Sequence, residues 1–162
     1  MSPEDGQDAV APFRVATVDY ATARDELYSV RDAVFVREQQ VPVELEHDAL
    51  DPGSVHVLAR TLDGEAIGTA RMAPPRPDLP AKVGRMAVLA AWRGRGVGAA
   101  MLAGLVAYES AEHAIGVPTL VLDSEGSTDD LAGWAATAAR LIPNAAHKSL
   151  PGEWHVVPPQ LI

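Results

Sequence analysis

From residue 13 to residue 18 apolar and polar side chains alternate, the pattern of a half-buried strand. The period then lengthens. Leu27, Val30 and Val34 fall on one face of a helix that Thr22 and Asp25 would open and that runs to about Val36, with Arg24 and Arg31 left to its other sides. Pro42 forbids a regular continuation. Alternation returns at 56–62, Asp63-Gly64 is hairpin chemistry, and 66–73 forms the returning strand. Prolines at 74, 75, 77 and 80 mark an irregular connection into a further strand at 82–89. Val97, Met101 and Leu105, with Leu102 and Val106, restore helical spacing in a helix expected to end near Gly116-Val117-Pro118. Residues 119–123 are apolar and β-branched, a buried strand. Beyond them the pattern predicts a helix capped at Thr128-Asp129-Asp130 and stopped by Pro143. A hairpin of 145–150 and 153–157 across Pro151-Gly152 then closes the chain. Residues 1–11 are polar, acidic and without period, and read as a flexible tail; 12–162 read as one domain, undivided by any repeat or linker.

The order β-α-β-β-β-α-β-α-β-β specifies an α/β (α+β) fold: one mixed central sheet of about six or seven strands flanked by helices. The 162 residues suit a single core. With no cysteine, disulfides, thiolate metal sites and a cysteine nucleophile are excluded. The five histidines have no paired metal-ligand spacing, so no metal is expected. A net charge of −9 argues against nucleic acid as a partner and suits an amine-bearing one. No run approaches the roughly 20 apolar residues of a membrane span, and no signal-peptide pattern appears, so a cytoplasmic location is expected.

Against that acidic background, Lys82, Arg85, Arg93 and Arg95 place four positive charges around a glycine-rich turn, Gly94, Gly96 and Gly98, that leads from a strand into a helix. Glycines bare their backbone N–H groups, and a helix N-terminus adds unpaired donors and partial positive charge. An anion, a phosphate above all, fits there. Gly94, Gly96 and Ala99 also fit G-x-G-x-x-A of dinucleotide folds, with Asp123 closing the next strand. Four residues separate Leu89 from Gly94, however, and only 63 follow Ala99, too few for that fold.

Arg93-Gly94-Arg95-Gly96-Val97-Gly98 resembles the Q/R-x-x-G-x-G/A signature of the GCN5-related N-acetyltransferases (GNAT). Val34-Phe35-Val36-Arg37-Glu38-Gln39-Gln40-Val41-Pro42, followed by spaced acids, resembles a bacterial subgroup of them carrying V-F-x-x-E-Q-x-V-P. The resemblance implies a sheet splayed between its fourth and fifth strands and acetyl-CoA as acyl donor. It places the diphosphate on Arg93, Gly94, Arg95, Gly96, Val97, Gly98 and Ala99, and the pantetheine amides along Met86, Ala87 and Val88. It further implies attack by a small-molecule or peptide amine in a ternary complex. Glu46 and Asp48 are candidate bases, with Glu44, Asp51 and Arg71 for acceptor binding; His56 is a further candidate base, though packing is the commoner role there. The same acids could instead pair with Arg31 and Arg71 in a structural network. Family members often carry a tyrosine acid on the helix after the fifth strand. Here Leu131-Ala132-Gly133-Trp134-Ala135-Ala136 stands in that place and no tyrosine follows Tyr108, so Ser124 and Trp134 are the nearby substitutes. Two other readings stay open: an acyl-CoA-binding module without turnover, and an enzyme like the acyl-homoserine lactone synthases, which Arg31, Phe35, Glu46, Asp48, Asp51 and Arg71 resemble. An apolar face on the late hairpin is a surface on which a homodimer could form.

Overall fold

Asp19 opens the first helix. Its backbone is extended (φ −73°, ψ 130°), and its carboxylate accepts the Thr22 amide at 3.0 Å, satisfying a donor the helix start leaves unpaired. The helix therefore begins at Tyr20 and not at the expected Thr22–Asp25 start; Thr22 instead donates its hydroxyl to the Asp19 carbonyl. The computed structural model describes residues 12–77, 81–112, 119–124 and 145–150, with backbone alone for 109–112 and the last two segments. The chain runs β1 (Phe13–Val18), α1 (Tyr20–Arg31), a π-helical turn (Asp32–Glu38), α2 (Val43–Glu46) and a short turn at Asp51–Gly53. It continues through β2 (Val55–Thr61), β3 (Ala66–Ala73), β4 (Lys82–Val88), a short turn at Ala90–Trp92, α3 (Val97–Glu112), β5 (Thr119–Ser124) and β6 (Ala145–Leu150). The expected tail at 1–11, helix at 128–141 and strand at 153–157 lie outside the described residues.

β1 to β4 form an antiparallel sheet in sequence order, while β6 runs parallel to β5, from Thr119 opposite Ala145 to Ser124 opposite Leu150. Among the described residues no ladder joins β4 to β5, so the expected parting of the sheet falls there. Helices cover both faces of the four-stranded sheet. Leu58 packs with Ala23 and Leu27 of α1, and Ala87 with Val30 and Val34. On the other face Val57, Ala59 and Ile67 meet Val97, Met101, Leu102 and Leu105. The alternation read in β2 predicts one wet face. Val57, Leu58 and Ala59 are instead all fully buried, because α1 and α3 sandwich that strand. Each large aliphatic side chain so buried contributes roughly 1.5–3 kcal/mol.

Three local departures from regular geometry position the site. The first helix does not continue as an α-helix to Val36: from Asp32 it widens to π geometry, with Gln39 N bonding Val34 O, five residues back. Arg31, left by the apolar spacing to another side of the helix and offered as a partner for the acids, ends that helix with 1% exposure. In the β3–β4 ladder Thr69 pairs with Ala87 but Arg71 with Gly84, so β4 carries an extra residue, a bulge, between those points. Arg85 lies in that bulge at φ 51°, a left-handed conformation costly for a residue with a Cβ. Finally, β3 and α3 meet across Gly68, where a Cβ would stand 3.0 Å from Val97 Cγ1 and 3.1 Å from Met101 Sδ.

Candidate active site

The glycine turn is open. Gly94 and Gly96 take φ of 71° and 79°, conformations that favour glycine, and a Cβ built at Gly94, Gly96 or Gly98 would meet nothing within 4 Å among the described residues. Ala100 N donates to Gly96 O at 3.0 Å and starts the ladder of α3, so the amides of Val97, Gly98 and Ala99 lie ahead of it, among the donors a helix start leaves over. The four basic residues do not all gather at this turn. Lys82 stands at the far end of β4, and Arg85 turns to the acid cluster. Arg93 and Arg95 remain. Arg95 is exposed, its guanidinium 5.4 Å from the Trp92 ring centre. Arg93 donates through Nε to the Val88 carbonyl (3.0 Å) and through its two other nitrogens to the Glu38 carboxylate (2.6 and 2.7 Å).

The second centre is a buried lattice of three arginines and three acids around α2. Asp51, with no exposed surface, is its hub: Oδ1 accepts from Arg31 (2.9 Å) and Arg71 (2.7 Å), and Oδ2 accepts from the Tyr28 hydroxyl (3.2 Å). Arg31 also holds Glu46 through its carboxylate and, at 2.6 Å, its carbonyl. Arg71 forks onto Asp48 at 2.6 and 3.0 Å. Arg85 completes the set, reaching Glu46 Oε2 (3.1 Å), Asp48 Oδ2 (3.0 Å) and the Leu45 and Glu46 carbonyls at the end of α2. The bulge thus aims a cation at the negative end of a short helix.

Burial pushes each acid upward, with different outcomes. For Asp51 the hydrogen bonds from Arg31 and Arg71 outweigh burial and hold the carboxyl below the ordinary carboxylate range, and Arg71 does the same for Asp48. For Glu46 burial prevails over Arg31 and Arg85, and its carboxyl is raised. Tyr28 is pushed up to about 12 by burial, by its bond with Tyr20 and by the charge of Asp51.

The acetyltransferase (GNAT) family matches residues 21–132. The chain belongs to that family. Escherichia coli ElaA is 27% identical, with 64% of this chain and 72% of ElaA covered and a TM-score of 0.53. An acyl-CoA N-acyltransferase from Pseudomonas aeruginosa is 25% identical, with 62% and 73% covered and a TM-score of 0.56. A GNAT-family acetyltransferase from Staphylococcus aureus, at 14% identity and a TM-score of 0.51 over 62% and 68% of the two chains, shares the fold alone.

In this GNAT domain the structure brings Glu46, Asp48, Asp51 and Arg71 into one cluster. Glu44 is exposed on α2, outside it. Ser124 pairs with Leu150 in the β5–β6 ladder, and its side chain, like Trp134, lies outside the described residues. Met86 faces the α3 core and Ala87 the α1 core, leaving their backbone at the β4 edge. Sequence reasoning assigned no role to Tyr28 or to the Glu38–Arg93 pair and placed Arg85 with the turn; no local pattern signals any of the three.

His56 gives a pH test of the cluster. Its Nε2 donates to the Asp51 carbonyl at 2.8 Å, so Nδ1 carries the lone pair, buried and without a hydrogen-bond partner among the described residues. Burial holds the ring below its ordinary value of 6.5. The unfolded chain therefore binds the proton first, and this contribution is intact above pH 6.5 and is lost as pH falls below it. Urea midpoints measured from pH 7.5 to 5 are expected to decline more steeply for the unmodified protein than for His56→Asn. Parallel slopes would contradict the assignment.

Proposed function

We propose that the protein transfers an acetyl group from acetyl-CoA to an amine. The supporting observation is the pair of features at the end of β4: a turn whose three glycines face open space at the start of α3, and a strand edge with no ladder to β5. The backbone of Gly94, Arg95, Gly96, Val97, Gly98 and Ala99 would hold the diphosphate, Arg95 would add charge, and Arg93 would shape the turn. Met86, Ala87 and Val88 would offer backbone groups to the pantetheine amides. In the transfer the thioester C–S bond breaks, a C–N bond forms, and the amine gives up a proton.

An alkylammonium of pKa about 10.4 is neutral only about one part in 10³ near pH 7, so that proton matters. Asp48, 29% exposed at the edge of the cluster, would draw an ammonium in by charge; Arg71 holds its carboxyl low, so the proton itself would pass to water. Glu46, Asp51 and Arg71 are buried, and in this reading they act by fixing Asp48, Arg85 and α2. Glu44 and the exposed Val43 and Leu45 on α2 would meet the body of the acceptor. Ser124 is the proposed donor to the leaving thiolate.

Thiol release from acetyl-CoA, measured against polyamines, aminoglycosides, amino acids and peptide amines, tests this reading. At least one acceptor is expected to raise release well above hydrolysis. Binding of acetyl-CoA without turnover across the panel would favour the non-catalytic module, which the lack of any tyrosine after Tyr108 supports; no binding near millimolar ligand would remove both.

A further inference from the structure

Glu38 and Arg93 stand 55 residues apart and belong to the two separate motifs of the chain. One ends the π-helical turn, and the other begins the glycine turn. Their contact is a two-point fork, 2.6 and 2.7 Å, in which Arg93 commits both terminal nitrogens. Its Nε is committed as well, 3.0 Å from the carbonyl of Val88, the last residue of β4. That bond folds the Arg93 side chain back over the Ala90–Trp92 turn, which is itself closed by Trp92 N to Leu89 O at 2.8 Å. Glu38 is fixed in its turn, because the π-helical segment packs Val34 against Ala87, with Phe35 and Leu89 beside them.

Such a pair contributes little to overall stability. The two side chains are 26% and 45% exposed, and ion pairs in that setting are worth at most about 1 kcal/mol. What the fork does is local: it fixes the direction in which the chain leaves β4 and enters Gly94. It also keeps Arg93 from swinging, so that the cradle is built before any ligand arrives.

We propose that Glu38 is a positioning residue for the glycine turn, acting through Arg93 on the placement of the Gly94–Ala99 amides. The inference rests on the reading that this turn holds the acetyl-CoA diphosphate. It makes a prediction opposite in sign to the obvious alternative. If Arg93 were a phosphate ligand restrained by Glu38, neutralising Glu38 would free it and tighten binding.

The test is a double-mutant cycle on acetyl-CoA affinity, measured by titration calorimetry at fixed ionic strength with Glu38→Gln, Arg93→Gln and the double variant. Glu38→Gln is expected to bind about fivefold more weakly, the loss of one well-formed exposed pair. The double variant is expected to bind no more weakly than Arg93→Gln alone, because among the described residues the side-chain contact of Glu38 is with Arg93. Melting temperatures within about 2 °C of the unmodified protein would show that the loss is not one of folding. Unchanged or tighter binding by Glu38→Gln, or losses that multiply in the double variant, would overturn the proposal while leaving the cofactor reading in place. Absence of binding by the unmodified protein would remove both.

Discussion

Gly98→Glu is expected to abolish acetyl-CoA binding while leaving the fold as stable as before or slightly more so. With Gly96 accepting the first bond of α3, Gly98 is its second residue, and no positive φ constrains it. A Cβ there meets nothing within 4 Å among the described residues, so no clash arises at the point of substitution. Replacing a helical glycine gains up to about 1 kcal/mol, and a carboxylate in the first turn of a helix gains a further 0.3–1 kcal/mol or so. The same carboxylate occupies the place of a phosphate and repels it. Stability and binding therefore move in opposite directions, which separates a blocked site from a damaged fold. Gly96→Glu is a poorer test, because a φ of 79° strains any side chain at that position. Calorimetric titration with acetyl-CoA, paired with thermal melting, reads both quantities; retained affinity in Gly98→Glu would mean that the diphosphate lies elsewhere.

The second large effect is on folding. Arg31→Ala is expected to cost about 3–5 kcal/mol, the usual result of removing one partner from a buried ion network. Arg31 is 1% exposed and its three nitrogens go to Glu46, Asp51 and the Glu46 carbonyl, so its loss leaves two buried carboxylates short of charge. Against a total stability of roughly 5–15 kcal/mol, that lowers the melting temperature by about 10 °C or more. Arg31→Lys recovers only part, since an ammonium cannot reproduce three donors in a fixed plane. Arg24→Ala, which removes an exposed cation over the Tyr28 ring that Arg31 also approaches, should shift stability by no more than about 0.5 kcal/mol. Similar melting of Arg31→Ala and the unmodified protein would show that the network is decorative.

The six described strands and the two long helices were legible because their signals are local. A period of two or of 3.6 needs only neighbours along the chain, and the glycines at 94 and 96 announce a turn that only glycine enters easily. Charge pairing is different. Lys82, Arg85, Arg93 and Arg95 look alike in sequence, and that Arg85 meets Glu46 and Asp48 while Arg93 meets Glu38 depends on a bulge in β4 and on a helix that widens at Asp32. Neither has a sequence pattern of its own. Asp19 shows the same limit at small scale: Thr22 and Asp25 were also acceptable starts, and only the extended backbone at Asp19 decides between them. In β2 the expected alternation gives way at Val57, Leu58 and Ala59, three apolar residues in a row, because helices cover both faces there. Among the acids, spacing brought Glu46, Asp48 and Asp51 to attention and offered a network with Arg31 and Arg71 as one reading, which the structure shows; that Arg85 joins it was not legible.

The contact at Gly68 reaches further than its position in the middle of β3 suggests. Val97 and Met101, the residues it touches, belong to the opening turns of α3, the end on which the diphosphate reading depends. A missing methyl group on the floor of the molecule therefore sets the height of its rim. Anyone redesigning this interior for tighter filling would be moving, from below, the turn to which the proposed reading gives the diphosphate.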